Sequence, residues 1–122
     1  MKTILLVLSA LVLAAPAMAQ HAHQKGPNGG PMEDVAGVHV EMIAAGKVLT
    51  FNILDEANKP LPASGFSGAV LLTSGSDRET LPLVTSGTAL KAEAKGDIAR
   101  GTSVSVTLKT ADGKSGQARF RN

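Results

Sequence analysis

An all-β domain, built as a small antiparallel two-sheet sandwich of immunoglobulin-like size, is the fold class this sequence predicts. Two observations carry the prediction. Apolar and polar residues alternate with period two from Val38 onward, and Gly, Pro, Asn and Asp punctuate that alternation every ten or so residues. The result is seven short strands in about 85 residues, the density of an immunoglobulin-like sandwich. A small open barrel is the competing architecture.

Val38-His39-Val40-Glu41-Met42 opens the alternating region as the first strand. Ala44 to Lys47 is its turn, with Gly46 free to take a positive φ. Val48 to Leu54 follows and places Leu49, Phe51 and Ile53 on one face. Asp55 to Pro60 is a polar loop, after which Pro60 and Pro62 restrict the chain. Gly68 to Thr73 is the third strand, closed by Ser74-Gly75-Ser76-Asp77. Glu79 to Val84 is the fourth, and Pro82 within it marks an edge, because proline has no N–H to give a ladder. Ala89 to Ala94 is a weaker fifth; it is rich in helix formers but too short for an independent helix. Thr102 to Thr110 directs Val104, Val106 and Leu108 inward. Asp112-Gly113 reads as a two-residue hairpin turn, and Ser115 to Phe120 returns as the last strand.

Ahead of this region the chain divides in two. Residues 1–19 have the form of a cleavable secretory signal: Lys2, an apolar run from Ile4 to Ala15, the helix breaker Pro16, then Ala17-Met18-Ala19 before a cut at Gln20. The run is about twelve residues, where a bilayer core needs roughly twenty, so a signal peptide is expected and not an anchor. Without cysteine there is no lipobox. The expected product is periplasmic, with no membrane span after cleavage. Residues 20–31 hold His21, His23, two prolines and three glycines without apolar periodicity, and read as a flexible arm. Residues 32–122 form the β-domain.

Composition narrows the function classes. With no cysteine, packing and strand pairing must hold the exported domain without disulfides. Phe51, Phe66 and Phe120 are the only aromatics, and Lys and Arg are scattered along the chain. A base-stacking platform and a basic stripe are both missing, which argues against nucleic acid. No Gly-x-Ser-x-Gly occurs, and the aromatic platforms of a glycosidase cleft are absent, so an enzyme is not expected.

The three histidines all fall between positions 21 and 39. His21 and His23 lie beside the expected new N-terminus, where an α-amine, backbone amides and imidazole together suit the square-planar preference of Cu(II) or Ni(II). His39 and Glu41, two apart on a strand, emerge on one face, opposite Val38, Val40 and Met42. They are a candidate ligand pair, or a carboxylate orienting a histidine. The plainer reading is the polar outer face of an edge strand. Of the methionines, Met42 belongs to the apolar face and Met32 is freer.

Gly26-Pro27-Asn28-Gly29-Gly30, followed by Ala36-Gly37-Val38-His39-Val40-Glu41, resembles a pattern of roughly Pro-His-Gly-Gly, a spacer, then Gly-aromatic-His-x-Glu. That pattern occurs in small exported bacterial proteins and in segments of periplasmic adaptor proteins of heavy-metal RND efflux systems. Leu54 to Pro60 and Gly116 to Phe120 extend the resemblance over most of the mature chain. It implies a periplasmic β-domain linked to metals such as copper, silver or zinc. His39 and Glu41 carry over; the first histidine does not, since Asn28 stands in its place, and Val38 replaces the aromatic.

Two functions from different classes follow. One is a metal-associated accessory protein using His39, Glu41, His21 and His23 with Cu, Ni or Zn, tied by the resemblance to heavy-metal efflux. The other is a metal-free module that docks an efflux adaptor or another envelope protein.

Overall fold

The computed structural model describes residues 24–122; the segment read as a signal peptide, and His21 and His23, lie outside this range. The described chain is all-β. Its ten strands are β1 (Gln24–Lys25), β2 (Pro31–Val35), β3 (Val38–Ala45), β4 (Val48–Leu54), β5 (Ser67–Ser74), β6 (Asp77–Pro82), β7 (Val84–Ser86), β8 (Ala89–Glu93), β9 (Ser103–Lys109) and β10 (Ser115–Arg121). They form two antiparallel sheets, ordered β1-β2-β3-β4-β8-β7 and β10-β9-β5-β6, which do not close into a barrel.

Alternation decides what lies between the sheets. Val40 and Met42 from β3, Leu49, Phe51 and Ile53 from β4, and Leu90 from β8 meet Val70, Val104, Val106 and Leu108 of the opposite sheet, all buried. Phe51 and Phe120 pack with ring centroids 5.8 Å apart and planes tilted by 55°, joining the middle of one sheet to the edge of the other. Ala89–Glu93, despite its helix formers, is a strand, because Leu90 and Ala92 pair with Phe51 and Leu49 and complete the core face.

The structure differs from the sequence reading in five places. β2 was not expected: its apolar residues Met32 and Val35 are three apart and fall on opposite faces, so no alternation betrays it. With β2 and β1 outside it, β3 is an interior strand and not an edge. Within the segment read as a flexible arm, Gln24 and Lys25 pair with Met32 and Pro31, and Met32 is buried instead of free. The expected fourth strand splits at Pro82-Leu83. There the Leu83 N–H donates to the Gly68 carbonyl, and the chain then crosses to the other sheet, where Val84 pairs with Lys91.

The fifth difference is the last hairpin, which is not a two-residue turn. The Gly113 N–H donates to the Thr110 carbonyl, Thr110 and Lys114 are bonded across the loop, and only Gly113 has a positive φ. That is the three-residue loop with a left-handed glycine, the usual alternative to the Asp-Gly two-residue form.

Candidate functional site

β3 carries both described candidates on its outward face. His39 and Glu41 have separate partners. β2, β4 and the 26–30 turn supply those partners, and each is fixed by register: Asp34 lies opposite His39, and Asn52 opposite Glu41.

Glu41 is fully buried although it points away from the sandwich core. Its lid is the Gly26–Gly30 turn, closed by Gly26 N–H donating to the Gly30 carbonyl at 2.7 Å. Oε2 accepts from the backbone N–H of Asn28 at 2.8 Å and of Gly30 at 3.1 Å. Oε1 accepts from the Asn28 side-chain amide at 2.8 Å and from that of Asn52 at 3.3 Å. Four N–H donors therefore surround one carboxylate, which matches the acceptor capacity of its two oxygens. The glycines of the motif follow from this packing. A Cβ on Gly26 would lie 2.3 Å from the Glu41 carboxyl carbon, and one on Gly30 would lie 2.2 Å from the Met42 carbonyl oxygen.

His39 sits on the same face but is half-buried and engages a second group. Its Nε2 lies 3.0 Å from Asp34 Oδ1, and its Nδ1 lies 2.9 Å from Asn58 Oδ1. Asn58 reaches it from the 55–59 loop, which Asp55 organises by accepting from the Ala57 and Lys59 N–H groups at 2.8 and 2.9 Å. Asn58 itself is left-handed, at φ 61°, a conformation asparagine tolerates better than most residues. Both ring nitrogens of His39 thus face acceptor oxygens, and a metal on either would have to displace one of them.

Among the described residues no group of three or more His, Asp or Glu side chains is arranged to hold a metal ion. His21 and His23 lie outside the described residues. Sequence reasoning missed Asn28, Asn52, Asp34 and Asn58 as the partners of the marked pair. Asn28 had a signal, since it occupies the histidine position of the motif; the other three become neighbours only through strand register. No protein-family model, curated protein or solved structure matches the chain.

Proposed function

We propose that this chain is an exported β-sandwich module that acts by docking an envelope partner, and that its motif residues hold the fold together instead of holding a metal. One observation carries the reading. Glu41 is buried with both oxygens filled by four N–H donors, so binding a metal there would strip a buried carboxylate of its hydrogen bonds. Close packing against Glu41 accounts for Gly26, and against the Met42 carbonyl for Gly30, without recourse to a ligand.

The competing function is the metal-associated accessory protein, with His39 and Glu41 joined by His21 and His23. Titrating the exported protein with Cu(II), Ni(II) and Zn(II) separates the two. The docking reading expects no uptake at micromolar concentration. Uptake that falls at least about tenfold in His39→Ala overturns it in favour of a site on β3. Uptake that is lost only on replacing His21 and His23 overturns it in favour of a chelating arm.

A further inference from the structure

The four-stranded sheet presents a charged face that the order of residues along the chain conceals. Arg78, Lys109, Arg119 and Arg121 are far apart in sequence, yet all point outward from this sheet. Arg121 lies opposite Ser103, Ser103 opposite Thr73, and Thr73 opposite Arg78, in one row across it. Arg119 lies opposite Ser105 in the next row, and Lys109 opposite Ser115 at the far end. No Asp or Glu occupies an outward position on these four strands, and three of the chain's four arginines are there. Glu79 of β6 has the opposite parity, and its Oε1 accepts from the Lys95 N–H at 3.0 Å.

One margin of this face is an unpaired strand edge. The two sheets have four edge strands among the described residues, and they are not equivalent. β1 has two residues and β7 three, too short to template a partner. β6 has six but ends in Pro82 and mixes Asp77, Arg78 and Glu79. β10 has seven, contains no proline, and pairs on one side only, with β9. Its Gly116 end approaches the β2–β3 turn, where an added Cβ would lie 2.9 Å from the Ala36 nitrogen. β2 of the other sheet packs beside β10, while among the described residues no strand is hydrogen-bonded to its outer side. Exposed edges of this length invite strand addition, and charge is the usual device for deciding which strands are refused.

We propose that β10 receives an extended acidic peptide segment of a partner protein as an added strand, with carboxylates at alternate positions opposite Arg119 and Arg121. This deepens the docking reading and rests on it. Alternate residues of a strand are about 7 Å apart on one face, so a peptide with Asp or Glu at every second position matches the two arginines in step. Backbone pairing supplies affinity and the guanidinium–carboxylate pairs supply selection. The same charges oppose pairing of β10 with β10 of a second copy, since like charges would then stand across the new ladder. A nucleic acid is disfavoured because the face offers no aromatic ring for stacking. A lipid surface is disfavoured because the one large apolar side chain that is exposed among the described residues, Val84, belongs to the other sheet.

The test uses the exported protein and a fluorescein-labelled decapeptide alternating Glu with Thr. Controls are the same peptide with Lys for Glu, a peptide of equal composition with its five glutamates contiguous, and anionic phosphatidylglycerol vesicles. Anisotropy should show saturable binding of the alternating peptide that weakens with salt. Arg119→Glu with Arg121→Glu should weaken it at least about tenfold, and Lys47→Glu in the β3–β4 turn should leave it unchanged. Hydrogen exchange should slow at β10 amides on binding. Absence of binding at millimolar peptide overturns the proposal, as do equal affinity for the contiguous peptide, indifference to the double charge reversal, and tighter arginine-dependent binding to vesicles. None of these outcomes bears on the metal titration, so failure of the acidic-strand proposal is distinguishable from failure of the docking reading.

Discussion

Asn28 and Glu41, thirteen residues apart, are joined twice: the backbone N–H and the side-chain amide of Asn28 each donate to a different oxygen of the Glu41 carboxylate at 2.8 Å. The contact clasps the first turn of the described chain onto an interior strand. It also unites the two halves of the motif that the sequence presents as separate segments.

Glu41→Ala should therefore destabilise the domain by about 2–3 kcal/mol, because it leaves the buried N–H of Gly30 without an acceptor and removes that of the part-buried Asn28 N–H. Asn28→Ala keeps the backbone donors satisfied and should cost only about 1 kcal/mol. Urea denaturation of the two variants checks the order. Equal or negligible losses would mean that the clasp does not hold the fold.

The glycines of the clasp should differ among themselves. Gly30→Ala drives a Cβ into the backbone carbonyl of Met42 and should destabilise by about 2 kcal/mol or more. Gly29→Ala meets nothing within 4 Å, and its cost is only that of holding alanine at φ 83°, about 1–2 kcal/mol. Thermal melts of both proteins give the comparison.

Phe51→Ala should cost about 3–5 kcal/mol by equilibrium denaturation, the usual range for emptying a fully buried aromatic site. Its ring is completely buried and touches that of Phe120, so both sheets lose contacts. A neutral result would be incompatible with a core shared between the sheets.

A stabilising change is expected at Ala36. With φ 50°, it occupies the left-handed region without glycine's freedom, next to Gly37 at φ 87° in the β2–β3 turn. Ala36→Gly should raise stability by about 0.5–1 kcal/mol, the relieved strain exceeding glycine's extra entropy in the unfolded chain. A lowered melting temperature would show that the packing of the Ala36 methyl outweighs the strain.

Asp112 should make stability sensitive to acid. A hydrogen bond from the Thr110 hydroxyl holds its carboxyl below the ordinary carboxylate range, with a smaller contribution from nearby Lys114. Because the folded value is depressed, this contribution is present above the unfolded carboxylate pKa and is lost as pH falls through the folded value. Melting curves of the native protein and Asp112→Asn should differ at neutral pH and converge in acid. A gap that widens on acidification would reverse the assigned sign.

The sequence by itself determined the fold class and the inner faces. Alternation in 48–54 and 103–109 is enough to place Phe51 and Val106 inside, because a strand's side chains have period two whatever it pairs with. Glycine punctuation likewise marked the hairpins, since the required positive φ is a local property. Register and coverage were beyond it. Met32 and Val35 give no periodic signal, so β2 and the interior position of β3 emerge only when the strands pair. Residues two apart on β3 share a face, but nothing local to His39 and Glu41 says that one will be sealed beneath a glycine turn while the other meets Asp34 and Asn58. The basic face has the same origin: charges at 78, 109, 119 and 121 become neighbours only because β10, β9, β5 and β6 pair in one register, and long-range pairing is a tertiary decision.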